Sequence, residues 1–495
     1  MKALQKLAGQ TAIYGLPSIV GRLLYYFLVP LHTSKFLPSE YGEIVEMYAY
    51  VSFLVVLLTY GMETAYFRFQ TKSNESKNNV FSTVILSLFG STTLFIFLAT
   101  FFSHEVADFL KYSDDHEYVI WFAFIVGLDA ISSIPLARLR IENKAMRFVS
   151  VNVSNIAVNV GLNWFWIGYC MTAFENGETN FLIDNLYSSE IGIGYVFIAN
   201  LLASAVKFLL LTPAFFRSKL IFDRLLLKEL LIYSSPILIA SIAIIINETS
   251  DRILLKWLLL DQMSIYEVKE QVGIYGGVYK LSIIISLFIQ AFRYAAEPFF
   301  FSNEKEKDAK ETYALIMKYF VIICSIIFLG VMLYIDQLKY FVNNEAYWNG
   351  LNVVPILLFA NIFFGIFYNL SIWYKLNEKT RYGAYIAVMG AFITIVLNVL
   401  LIPILGYTGS AWATLACYFS MATVSYFLGQ KHYKINYPLK SIFFYLSLAF
   451  AFYWLSTLLD LEDESIFKFG VNSLFLMLFL SIIFVLEKPK KALIS

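Results

Sequence analysis

Charge, cysteine and histidine are all scarce in this chain of 495 residues. Only 15% of its residues are charged, against about 25% in an ordinary soluble domain. A soluble fold of this length needs far more polar side chains to cover its core. That shortage excludes a soluble enzyme, a disordered scaffold and a nucleic-acid binder with a basic face. The three cysteines, Cys170, Cys324 and Cys417, lie far apart in apolar runs, so there is no disulfide framework and no paired-cysteine metal or redox motif. The four histidines, His32, His104, His116 and His432, are isolated, and no metal site is expected. His32 can titrate, but no serine–histidine–aspartate spacing supports catalysis, and no phosphate-cradling glycine loop marks a nucleotide-driven motor.

What the chain has is apolar length. It is 59% hydrophobic, with a mean hydropathy of +0.67. A membrane-spanning helix takes about 20 apolar residues. Apolar segments of that length recur about fourteen times, from roughly 8–33 to roughly 467–486, with a fifth segment near 148–171. The first run is span-length and is followed by no small-residue cleavage site, so it reads as a span rather than a signal. The connectors are short, and none holds a folded domain.

The net charge of +1 resolves once it is sorted by position. With the N-terminus inside, 26 of the 37 basic residues fall in inner loops, five in outer loops (Lys35, Lys111, Lys269, Lys339 and Lys468) and six within spans. The outer loops are acidic, with Asp108, Asp114, Asp115, Glu175, Glu178 and Asp184 among others. The positive-inside bias therefore places both termini on the cytoplasmic side.

The chain also resembles itself. Ile13–Pro17 opens the first span as Ile232–Pro236 opens the seventh; Tyr41-Gly42 opens the second as Gly273-Ile274-Tyr275 opens the eighth; Leu162-Asn163 lies late in the fifth as Leu397-Asn398 does in the eleventh. Six spans per copy is an even number, so the repeat is parallel, about an axis along the membrane normal. The expected fold is all-α and membrane-integral: an N-terminal six-helix lobe over 1–222, a C-terminal six-helix lobe over 223–430, a central cavity between them, and an extra helix pair over 431–495.

Ionisable side chains inside a bilayer are costly, so each one there is a candidate for function. Arg22 lies about 20 Å into the first span and shares a face with Tyr14, Ser18 and Tyr25. It reads as a cavity cation, or as a structural arginine paired with a neighbouring carboxylate. The eighth span carries a polar stripe of Tyr275, Tyr279, Ser282, Ser286, Gln290, Arg293 and Glu297, too continuous for a helix–helix seam alone. Lys280 sits off that stripe, at the cavity edge or packed between helices. Arg293 and Glu297 are four residues apart, the spacing of a local ion pair at a cytoplasmic gate; Arg293 stays open as a substrate cation.

Glu248, Asp251 and Arg252 cluster near the outer end of the seventh span, where Asp251-Arg252 reads as an ion pair latching the lobes. Lys256 reads as a snorkelling cation. Asp129 is either a proton or sodium site or the counter-ion of a cation in its own lobe. Glu46 and Glu63 lie near the two ends of the second span, where hydration is easier, and join Asp129 as coupling or counter-ion residues. Lys207 is a substrate cation or snorkels. Asn152, Asn155, Asn159 and Asn163 share a face of the fifth span, either as amide bonds between helices or as ligand contacts.

Several segments taken together carry a resemblance: Leu7–Pro17 with Arg22 and Pro30; Ser39–Gly42; Asp251-Arg252 followed by Val272–Tyr275; and Leu397-Asn398 through Pro403, Gly406, Gly409 and Ala413-Thr414. In these, and in their order along the whole chain, it resembles the polysaccharide-export branch of the MOP superfamily, the Wzx-type flippases of lipid-linked oligosaccharides. The resemblance implies a transporter and not an enzyme, working by rocking of two lobes. It implies an undecaprenyl-pyrophosphate-linked glycan, moved across the bacterial inner membrane from the cytoplasmic to the outer leaflet for lipopolysaccharide or other surface polysaccharide.

Cations such as Arg22, Arg293, Lys280 and Lys207 suit the pyrophosphate. No cofactor is implied beyond a proton or sodium ion for coupling. The partners are membrane lipids and the glycan, with other polysaccharide-assembly proteins admissible and a monomer as the expected state. A lipid II flippase and a MATE-like cation-coupled exporter are the nearest alternatives, and a membrane-embedded glycan polymerase is the more distant one.

Overall fold

A computed structural model of the chain describes residues 20–21, 23–72, 77–216, 220–304, 306–459, 461–462 and 465–488. Among these residues every regular element is helical. The main helices are α1 (Leu28–Lys35), α2 (Pro38–Thr59), α3 (Met62–Lys72), α4 (Lys77–Phe101), α5 (Ser103–Leu110), α6 (His116–Ile141), α7 (Ala145–Asn163) and α8 (Gly194–Leu211). They are followed by α9 (Arg224–Leu259), α10 (Ile265–Ser302), α11 (Ala309–Leu333), α12 (Val354–Leu370), α13 (Arg381–Leu405), α14 (Tyr407–His432), α15 (Leu439–Leu458) and α16 (Ile466–Leu486).

Twelve helices among the described residues are long and apolar enough to cross a membrane, at the places of the second to fourth and sixth to fourteenth expected spans. The chain is a multi-pass membrane protein. The first expected span lies mostly outside the described residues. The fifth is helical, but its asparagine row lowers its hydropathy, and α7 passes into a π-helix over Trp164–Cys170. The count of fourteen therefore stays an expectation.

Local chemistry sets the helix ends. Pro38 opens α2, where its missing N–H costs nothing, and the Glu40 carboxylate accepts the Leu37 N–H at 2.8 Å. Tyr60, at φ 32°, stops the helix. The Asp223 carboxylate caps α9 by accepting from Leu225 and Leu226. At 36 and 38 residues, α9 and α10 are about 54 and 57 Å long, well beyond a hydrocarbon core of about 30 Å.

The chain forms two compact units, Met1–Gly276 with Ala384–Ala413 and Gly277–Gly383 with Thr414–Ser495. One border falls inside α10 and so inside the expected second lobe. Compactness in one conformation is a different property from ancestry by duplication, so these borders leave the repeat untested.

In the first unit α2 packs on α9, and α8 packs on both α6 and α7. Met62, Tyr66, Phe81, Val84, Ile134 and Leu230 form a core where α3, α4, α6 and α9 meet. In the second unit α11 is the hub, packed against α12, α15 and α16. The C-terminal pair is fastened to it by Asn472, whose amide donates to the Leu333 carbonyl at 2.6 Å and accepts from Ser456 at 2.6 Å. The large apolar side chains left exposed, such as Phe97, Phe392, Ile404 and Phe427, suit a lipid-facing surface.

Candidate functional site

The charged residues of the bundle sort into those already spent on each other and those that are not. In the first unit the most deeply buried ion pair joins Glu46 and Lys256. Lys256 is 0% exposed and Glu46 1%, with Nζ 2.9 and 3.0 Å from the two carboxylate oxygens. The third ammonium proton goes to the Leu110 carbonyl at 2.5 Å, and the Tyr112 hydroxyl donates to Glu46 at 2.6 Å. Burial, with the Glu46 and Glu43 carboxylates beside it, pushes the Tyr112 phenol well above its ordinary range and keeps it a donor.

A buried pair survives desolvation when its remaining hydrogen-bonding capacity is met, as it is here. This corrects two readings. Lys256 does not snorkel, and Glu46 is not hydrated, because the α5–α6 connection closes over both.

A second pair, Lys269 to Glu43 at 2.8 Å, lies alongside, with Lys269 also over the Tyr112 ring. Asp251 holds Arg252 at 3.0 Å, but both belong to α9. The contact Asp251 makes to another helix is with the Tyr275 hydroxyl of α10, at 2.7 Å. Arg252 also donates to the Glu248 carbonyl. Arg252 also lies over the Tyr275 ring, 6.0 Å from its centroid, while α2 and α9 are tied by Glu46–Lys256 and by the Trp257 indole donating to the Tyr50 hydroxyl at 2.9 Å.

Deeper in the same unit, Asp129 of α6 meets Lys207 of α8 at 2.6 Å. The counter-ion alternative for Asp129 is therefore the one with a visible partner, and Lys207 is committed. Glu63 pairs with Arg140. In the asparagine row, Asn163 binds His32 of α1 at 2.8 Å, a helix-to-helix amide bond, and binds Asn159 of its own helix at 3.0 Å. Tyr25 is part-exposed; Arg22, Tyr14 and Ser18 lie outside the described residues.

In the second unit, the stripe on α10 divides. Ser286 and Ser282 meet Asn361 of α12, at 3.0 and 3.4 Å, so this stretch is a helix–helix seam after all. Gln290 is buried below it, while Tyr279 and Lys280 are half-buried. At the far end Arg293 lays its guanidinium on the Tyr368 ring, 3.8 Å from the centroid. Glu297 binds Lys375 at 2.5 Å and not Arg293, which overturns the local pair expected from their spacing.

Among the described residues Arg293 has no ion-pair partner, and its Nε is buried without a hydrogen bond. The residues around it line a small cleft partly open to solvent, with Phe292, Phe300 and Ile372 as apolar walls and Ser371 and the paired Glu297 and Lys375 as polar ones. Lys375 and Tyr368 were missed by the sequence reading. The spacing of Tyr368, Ser371 and Lys375, at steps of three and four, was the available signal.

The chain matches a family described as polysaccharide biosynthesis protein over residues 7–304. The chain belongs to this family. No curated protein matches it by sequence. Among solved structures it is similar to the lipid II flippase MurJ in an inward closed conformation, with a TM-score of 0.72 at 15% identity, covering 95% of this chain and 98% of that one. It is similar to an inward-facing multidrug-resistance MATE transporter of the MOP superfamily, with a TM-score of 0.59 at 15% identity, covering 87% and 94%. It is also similar to the Vibrio cholerae MATE transporter VcmN in the bent form, with a TM-score of 0.54 at 12% identity, covering 90% and 100%. The fold is shared with MurJ and the MATE transporters, in line with the sequence resemblance.

Proposed function

We propose that the chain is a flippase that carries an undecaprenyl-pyrophosphate-linked oligosaccharide from the cytoplasmic to the outer leaflet of the inner membrane, by alternating access of two lobes. The observation that carries this reading is Arg293: a cation with no acid partner among the described residues, stacked on Tyr368 in a part-apolar cleft, where the neighbouring Lys375 is already held by Glu297. Stacking leaves the guanidinium edge free for the bidentate hydrogen bonds that a phosphoryl group accepts, and the apolar walls strengthen them. Arg22 stays within the proposal as a second cation, and Lys280 as a third.

A cation-coupled small-molecule exporter is the weaker reading. Glu46, Glu63, Asp129 and Glu297 each already hold a cation, which leaves them less suited to take up a coupling ion. A lipid II flippase would use the same phosphate chemistry, and the glycan decides between the two. Lipid-linked glycan extraction from a strain lacking the gene tests the proposal. Accumulation of an undecaprenyl-pyrophosphate oligosaccharide on the inner leaflet is expected. Unchanged pools would remove the proposal.

A further inference from the structure

The helix ends that the charge bias places outside are joined more tightly than helix packing requires. A Cβ added at Gly42 of α2 would stand 2.0 Å from the Lys269 carbonyl oxygen of α10, and one at Gly273 would stand 1.7 Å from the Pro38 carbonyl oxygen. The two backbones therefore touch, and no side chain fits between them. One turn further in, a Cβ at Gly276 would lie 3.1 Å from the Val45 Cβ.

Against this seam lie the Glu46–Lys256 pair and the Glu43–Lys269 pair, with Tyr112 beneath both ammonium groups at 4.2 and 4.5 Å. Every one of these contacts crosses between segments that the sequence repeat puts in different lobes: α2 and the α5–α6 connection in the first, α9 and α10 in the second.

We propose that this seam is the outer gate of the transport cycle, with Glu46–Lys256 as its lock. The inference rests on the transporter reading, in which the outer ends of the lobes part once per cycle. Parting takes Lys256 and Glu46 out of a complete set of partners, so the lock biases the chain toward the outer-closed state. A buried pair loses its balance when one partner is neutralised, because the other charge is left alone. Neutralising Lys256 therefore weakens closure directly, whereas a substitution on the lipid face does not.

Two measurements on the full chain test this, in a background with Cys170→Ala, Cys324→Ala and Cys417→Ala. The first uses Val45→Cys with Gly276→Cys, whose Cβ separation is a few tenths of an ångström short of the disulfide range of about 3.5–4.5 Å. Oxidation is expected to stop glycan export, and reductant to restore it. Undiminished export with the cross-link complete would overturn the gate and leave the flippase reading standing.

The second reads no substrate. Ala49→Cys lies on α2, 2% exposed and about 16 Å from its start. Its labelling by a membrane-impermeant maleimide applied from outside is expected to rise about tenfold or more on adding Lys256→Met. The same rise is expected with Glu46→Gln/Lys256→Met, which leaves no lone buried charge and so guards against misfolding. Equal labelling in the folded variants would make the pair a structural staple and sink the proposal.

Discussion

Replacing Arg293 by alanine separates a cation held for substrate from one held for the fold. In the folded chain Arg293 gives up only its stack on Tyr368 and no ion pair. Such a stack contributes about 0.5–2 kcal/mol. The stability loss on Arg293→Ala should therefore stay within about 2 kcal/mol. A bound phosphoryl group would lose one or two charge-assisted hydrogen bonds, each worth about 1.5–3 kcal/mol. A loss of about 3 kcal/mol is roughly a hundredfold in affinity.

The assay is binding of a short-chain isoprenyl pyrophosphate to the purified chain in lipid nanodiscs, with thermal unfolding measured on the same samples. Arg293→Lys should fall between the two, since it keeps the charge but loses the planar fork. An affinity within threefold of the parent chain would refute the reasoning. So would a stability loss as large as that of a committed cation such as Lys256.

That comparison supplies the next prediction. Lys256→Met leaves Glu46 charged and buried, and should cost about 3–5 kcal/mol of stability, with Glu46→Gln/Lys256→Met recovering most of it; equal melting of the single and double variants would contradict this. Gly42→Ala should disrupt folding or expression, because its Cβ has no room beside the Lys269 carbonyl; normal levels would mean the helices can separate there at little cost. Glu487 gives a pH test. Burial raises its carboxyl, but hydrogen bonds from Lys318 and Tyr445 outweigh this and hold it below the ordinary glutamate value of 4.5. A depressed carboxyl stabilises the fold fully above that value and loses its contribution as pH falls through the folded-state value. The stability gap between the parent chain and Glu487→Gln should thus close as pH drops below about 4.5, and a gap that stays constant would count against the assignment.

Hydropathy and loop charge revealed the spans because each depends on a short stretch of chain. Pairing does not. Glu46 and Lys256 are 210 residues apart, and only the packing of α2 on α9 under the α5–α6 connection brings them together. Lys256 lies near a helix end, where snorkelling is the ordinary outcome; the Leu110 carbonyl and the Tyr112 ring, invisible from local sequence, change that.

The same limit misassigned Glu297. Its spacing from Arg293 suggests a pair within one helix, yet Tyr368 takes the guanidinium and Lys375 takes the carboxylate. The polar stripe on α10 was legible as a stripe. Which part of it is seam and which part is pocket depended on Asn361, 75 residues from Ser286. The family was legible because its motifs are ordered along the chain, even though each one is short.

Reconstitution tests the central claim most directly. Purified chain in liposomes carrying a fluorescent undecaprenyl-pyrophosphate oligosaccharide should move the lipid between leaflets, as read by a leaflet-restricted lectin or quencher, and Arg293→Ala liposomes should not. Leaflet exchange no faster than in protein-free liposomes, with the chain folded and correctly inserted, would contradict the account.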